Sequence, residues 1–239
     1  MTRLVFLAAA GLCLSAGLFA EVQKKDVDIK ATDGITLKAT YYSPGRSGPA
    51  ILLLHQCNMD RHAWDGLAQD LAGAGFHVLA VDARGFGESA GQKLRGAESA
   101  SQQNADVDAA FSYLMSQKNV EKSRVAAGGA SCGVTQSSDL ATRHHEIRAL
   151  LLLSGRASDT AKAYIAATPS LPVFGAASAG DTNAANGIRE AVRASQNPKS
   201  VLKIYDGTEH GVPMFAKHAD LEPMIVDWLK QQMQAAHGD

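Results

Sequence analysis

Neither sign of charge is in excess in this chain. Lys and Arg number 23, Asp and Glu 24, and the formal net charge is −1. A balance so near zero argues against nucleic acid as the main partner, which a basic face would attract. Cysteine is scarce, with three in 239 residues, and no pair of them has metal-ligand spacing. The histidines are scattered along the chain, so no metal is expected, nor any other cofactor. Internal repeats, linkers and a second core are also missing, which leaves a leader over residues 1–20 and one domain over residues 21–239. With 46% hydrophobic and 20% charged residues, that length suffices for a full core.

The first twenty residues stand apart. Arg3 precedes an unbroken apolar and small-residue run over residues 4–20, and charge resumes at Glu21. A basic start, an apolar middle and a small residue before the polar stretch describe a secretory signal peptide. Ala20 suits the last position of the leader, although Leu18 is bulky two residues before it, and cleavage after Gly17 also fits. An uncleaved anchor needs about 20 apolar residues, and this run is a little short. Export, to a periplasm or to the medium, is therefore expected, with no stable membrane insertion once the leader is removed. Cys13 lacks the small residue just before it that lipid attachment requires. Cys57 and Cys132 are then the mature cysteines, an even pair in an oxidising compartment.

Alternating residues over 27–30 and 36–41, around Asp33-Gly34, predict a hairpin. Short apolar runs over 50–54, 76–81, 125–128, 149–153, 173–177 and 201–205 predict strands buried on both faces. Between them, core spacing predicts helices around residues 64–71 and over 98–118, 133–144, 157–167, 184–195 and 221–233. The alternation makes an α/β protein with a mostly parallel sheet, helices on both faces and an antiparallel hairpin in front.

Ligands bind such sheets at the carboxyl ends of the strands. The polar residues that fall there are His55-Gln56-Cys57, Asp82, Ser131, Ser154, Asp181 and, past the last strand, His210. Ser131 lies between Gly129 and Gly133 in G-x-S-x-G, the pattern of a sharp strand-to-helix turn that leaves a serine exposed at its tip. A serine hydroxyl is a weak nucleophile until an imidazole takes its proton and a carboxylate orients that imidazole. Serine, acid and histidine occur here in that chain order. Asp159 is the alternative acid to Asp181, and Glu209 adjoins His210 too closely to turn back on it. Asp82 and Arg84 are expected to pair within their own loop. Asp106 and Asp108 are read as surface charges, and His144 and His145 as residues favoured by the end of a helix.

These motifs resemble those of the α/β-hydrolase superfamily over nearly all of the mature sequence. Leu52-Leu53-Leu54-His55 is similar to the strand leading into that family's oxyanion loop. Asp82-x-Arg84-Gly85-x-Gly87-x-Ser89 is similar to its D-x-R-G-x-G-x-S loop, and Gly207-x-x-His210-Gly211 to the loop with its catalytic histidine. The resemblance implies Ser131 as nucleophile, His210 as base and then acid, and Asp181 as the orienting carboxylate. It implies an oxyanion hole from the N–H of Cys132 and a second N–H from Cys57 or, next in order, Gln56. Most relatives carry His-Gly where this chain has His55-Gln56. The family fold also sets the strand ending at Leu54 beside the strand ending near Gly128, and from that follows a possible disulfide between Cys57 and Cys132 bracing the hole. Two small buried thiols are the other reading.

About twenty residues separate the strands over 149–153 and 173–177, so no cap domain fits there. The resemblance then narrows to cap-less esterases of the dienelactone-hydrolase kind. The expected activity is that of a secreted carboxylesterase acting on small or accessible esters. An exported peptidase or thioesterase of the same fold, or a catalytically silent binding protein, remain as alternatives.

Overall fold

In the computed structural model, residues 21–94 and 99–234 are described; the leader read from the sequence lies outside them. The chain opens with the antiparallel hairpin of β1 (Gln23–Lys30) and β2 (Thr36–Ser43), which turns at Gly34 with φ 85°. Next in the chain come β3 (Gly48–Leu54), β4 (His77–Val81), β5 (Val120–Ala130), β6 (Ile147–Leu153), β7 (Val173–Ser178) and β8 (Val201–Tyr205). They form one sheet ordered β1-β2-β4-β3-β5-β6-β7-β8, in which β3 to β8 run parallel and β2 joins β4 antiparallel. Strand order reverses at β3, which has β4 on one side and β5 on the other. Connections on either side of such a point leave in opposite directions and open a crevice at the strand ends.

Both faces are covered. α2 (Ala100–Ser116), α3 (Cys132–Arg143), α4 (Asp159–Ala167) and α5 (Thr182–Ala194) pack on one side through Val107, Phe111, Leu140, Ile165 and Ile188. α1 (Asp65–Gly73) and α7 (Leu221–Gln232) cover the other with Leu67, Leu71, Ile225 and Leu229. This is why β3 reads as an unbroken apolar run. Leu52 and Leu54 face the first core and Ile51 and Leu53 the second. Burying each such side chain contributes about 1.5–3 kcal/mol, so the whole strand is committed to the interior. Among the described residues only α4 lies between β6 and β7, and no cap is inserted there.

Several bounds move outward from those expected. β5 begins at Val120, five residues before its apolar stretch, because Glu121 to Arg124 form an edge-exposed lead-in that the burial pattern does not require to be apolar. A 3₁₀ turn, Arg61–Trp64, precedes α1, with Asp60 as N-cap accepting the His62 N–H, and a short α6 (Met214–Lys217) follows the His210 loop.

The loop after β4 corrects two expectations. Asp82 does not pair with Arg84. Its carboxylate accepts the N–H groups of Arg61 at 2.7 Å and Glu88 at 2.9 Å and pairs with the guanidinium of Arg61, which is 1% exposed. Arg84 points the other way, to Asp106 at 2.8 and 2.6 Å and to Asp33 at 2.6 and 3.0 Å. Asp106 is thus no surface charge but a buried partner, and its hydrogen bonds with those of Asp33 push the Arg84 guanidinium pKa further up. Helical spacing missed it because a carboxylate can face the core when a guanidinium from another loop meets it there. Asp108 is half-buried and joins Arg143 and His144.

Candidate active site

The turn at Ser131 begins with β5 and ends in α3. Ser131 has φ 53° and ψ −115°, a left-handed backbone that costs a residue with a Cβ about 1–3 kcal/mol. Glycines make the turn possible. A Cβ on Gly129 would lie 2.0 Å from the Gly133 carbonyl oxygen, and one on Gly133 would lie 2.3 Å from that of Leu54. The turn is fixed to the neighbouring strand by the Ser131 N–H, which donates to the Leu153 oxygen at 2.8 Å. A third glycine, Gly155, was not singled out in the sequence. A Cβ there would come within 2.4 Å of the Ser131 main-chain carbonyl oxygen, so it must be bare although it lies 24 residues on. Only packing carries that signal.

His210 comes to the serine from the loop after β8. Its Nε2 lies 2.7 Å from Ser131 Oγ, and its Nδ1 is hydrogen-bonded to Asp181 Oδ2. Asp181 occupies the N-cap position of α5, yet its side chain makes no capping bond. The carboxylate is turned to the imidazole instead. The two loops are fastened to each other by the Gly180 N–H, which donates to the Gly207 oxygen at 2.8 Å. Gly207 has φ 116°, and a Cβ on Gly180 would meet the Gly207 oxygen at 2.7 Å. The His210 side chain is 42% exposed and that of Asp181 19%, so the imidazole opens to solvent while its partner is shielded.

Other candidates lie apart. Asp159 has a side chain 99% exposed and pairs with Lys162. Glu209 accepts the Thr208 N–H at 3.1 Å and makes no bond to His210. His144 caps α3 beside Asp108 and Phe111, and His145 meets Tyr164. Ser154, with φ 46°, is buried against Met214.

The segment His55-Gln56-Cys57 leaves β3 beside the turn because Leu54 pairs with Gly129 across β3 and β5. Cys57 and Cys132 are joined in a disulfide with their Cα atoms 5.9 Å apart. His55 is a structural strut. Its Nδ1–H donates to the Gln56 oxygen at 2.7 Å and its Nε2 accepts the Ala83 N–H at 3.0 Å, an arrangement that fits the neutral ring. Burial pushes its pKa below the usual histidine range. The Gln56 side chain reaches across to the His210 loop and accepts the Val212 N–H at 3.0 Å. Sequence reasoning noted the unusual His-Gln pair but could not see what either side chain reached.

Next to the disulfide a narrow cavity of about 50 Å³ runs between Cys57, Cys132, Phe86, Leu94, Val107 and Gln136. Two carboxylates, Asp82 and Asp106, also line it, and each is already bound to an arginine.

Residues 46–206 match the family described as serine aminopeptidase, S33. Over 145 residues the chain is 33% identical to an uncharacterized protein of Mycobacterium tuberculosis, covering 59% of this chain and 49% of that one. The chain thus spans about half the length of the curated relatives it matches. Among solved structures it is similar to the esterase Pf2001 of Pyrococcus furiosus, with TM-score 0.70, 18% identity and coverage of 89% of this chain and 94% of that one. An esterase of Thermogutta terrifontis is similar with TM-score 0.65, 17% identity and coverage of 88% and 100%. At such identities the likeness is one of fold.

Proposed function

Because the chain belongs to the serine aminopeptidase S33 family of α/β hydrolases, we propose that it is a serine carboxylesterase for small acyl esters, working through Ser131, His210 and Asp181. The observation that carries this reading is the hydrogen-bonded series Asp181–His210–Ser131 at a strained turn. His210 Nε2 takes the hydroxyl proton as Ser131 Oγ bonds to the ester carbonyl carbon. Asp181 holds the ring by Nδ1–H and stabilises the imidazolium that forms. The tetrahedral oxyanion is met by the N–H of Cys132, the first residue of α3, whose N–H has no partner within the helix, and by that of Cys57. The ester C–O bond then breaks, the alkoxide leaves with the proton from His210, and water repeats the sequence on the acyl-enzyme.

Small, accessible esters are proposed because among the described residues only α4 lies between β6 and β7, which leaves the half-exposed His210 ring open to solvent beside Ser131. An aminopeptidase needs a free carboxylate for the substrate's α-amino group. Among the described residues, the carboxylates that line the cavity beside the disulfide are spent on Arg61 and Arg84, which favours an ester over a peptide. Export is part of the same proposal. It is supported by the basic start and apolar run of residues 1–20 and by the disulfide.

The test is hydrolysis of p-nitrophenyl acetate, butyrate and laurate, with an aminoacyl p-nitroanilide alongside. Acetate and butyrate should be cleaved well and the laurate and anilide poorly. Ser131→Ala should abolish turnover and fluorophosphonate labelling. Asp181→Asn should lower kcat by about 10⁴, and Asp159→Asn should leave it unchanged. No activity in the parent, or equal activity in Ser131→Ala, refutes the reading.

A further inference from the structure

We propose that Gln56 is a positioning residue for His210, holding the imidazole at the distance from Ser131 that proton transfer needs. The inference rests on the triad reading above and adds a residue that the triad itself does not contain.

The loop from Gly207 to Val212 has two ends. The first is fixed by the bond between the Gly180 N–H and the Gly207 oxygen. The second is fixed by Gln56, whose Oε1 accepts the Val212 N–H two residues after His210. Gln56 is 2% exposed, and its amide is oriented from the other side, where Nε2 donates to Asn58 Oδ1 at 2.8 Å. Its carbonyl oxygen takes the Met59 N–H at 3.1 Å and the ring of His55, so the main chain beneath the amide is also held. Gly211 makes room for this contact. It has φ 71°, and a Cβ there would lie 2.2 Å from Gln56 Oε1. The glycine after His210 is therefore required by the glutamine as much as by the bend of its own loop.

The chemistry gives the arrangement its purpose. Ser131 is fixed by β5 and α3, whereas His210 sits on a loop with a solvent-exposed ring. One buried acceptor two residues on limits how far that ring can swing from the serine. A displacement of about 1 Å at a reacting pair can cost on the order of a hundredfold in rate. Gln56 also adjoins Cys57, so a single short segment ties the histidine loop at one residue and the nucleophile's neighbour at the next.

The experiment measures kcat and KM on p-nitrophenyl butyrate for the parent, Gln56→Met, Gln56→Glu and Ser131→Ala. Gln56→Met keeps the length and removes the acceptor. Its kcat should fall by about tenfold to a hundredfold with KM within about twofold of the parent. Gln56→Glu keeps an oxygen facing the Val212 N–H but loses the donor to Asn58 and buries a charge, so it should recover part of that loss. Gln56→Met within about twofold of the parent, or equal losses in both variants, overturns the proposal while an inactive Ser131→Ala leaves the triad reading intact. Activity surviving in Ser131→Ala refutes the triad reading instead. If Gln56→Met does not fold, amide exchange in the unaltered protein decides. The Val212 N–H should exchange far more slowly than the exposed Thr208 N–H of the same loop, and equal rates overturn the proposal.

Discussion

Removing the bridge between Cys57 and Cys132, by a double change to alanine, should cost both stability and rate. The bridge joins residues 75 apart in sequence. A ring of that size restricts the unfolded chain enough to be worth about 4.5 kcal/mol. For a chain of this length each kcal/mol moves the thermal midpoint by about 2–4 °C, so a drop of about 9–18 °C is expected. The effect on rate is smaller and has a separate cause. Pairing of Leu54 with Gly129 keeps the roots of the two loops together without the bridge, and their tips alone are released. Because the proposed oxyanion donors are on those tips, kcat should fall by about tenfold, well short of the 10²–10³ lost with a whole donor. KM should hardly move. Thermal unfolding followed by circular dichroism, with ester hydrolysis at 25 °C, compares the parent, the parent treated with a thiol reductant and the variant. The reduced parent should match the variant. If both unfold within about 2 °C of the oxidised parent, the ring argument fails. If kcat is unchanged, the bridge braces the fold and not the hole.

Two further outcomes test the buried charges. Asp106→Ala leaves the Arg84 guanidinium in the interior with Asp33 as its remaining partner, and should destabilise the protein by about 3 kcal/mol, read as a shift in urea midpoint. A shift typical of an exposed carboxylate would return Asp106 to the surface. His55 makes stability depend on pH. Since burial lowers its pKa in the folded state, the unfolded chain takes up the proton first as pH falls. The stability it contributes is full above about pH 6.5 and drains as pH falls toward its folded value. The parent should therefore lose more stability than His55→Asn between about pH 7.5 and 5.5 in urea titrations. Equal losses would mean that His55 titrates as an exposed ring.

How far the sequence could be read depended on whether a residue's role was local. Apolar runs over 50–54 and 149–153, alternation in the hairpin and glycines flanking Ser131 are all set by neighbours a few positions away. A strand buried on two faces must be apolar throughout, and a sharp turn must have bare residues at its ends. Those demands identified the sheet, the elbow and the strand ends, and chain order then pointed to Asp181 and His210. Residues with a distant partner that lie outside the family motifs' known roles were read wrongly or not at all. Arg84 and Asp82 stand two residues apart and appear a natural pair, yet Asp82 takes Arg61 and Arg84 takes Asp106 and Asp33. Burial of an ion depends on what another loop brings to it, and spacing carries no record of that. Gly155 against Ser131, and Gln56 against Val212, are contacts of the same kind. The sequence by itself thus determined the α/β order and the residues at its strand ends, because backbone geometry restricts the local choices. Tertiary structure alone decided which charges are buried, which acid meets His210 and what holds the His210 loop, because those depend on distances between segments that only folding brings together.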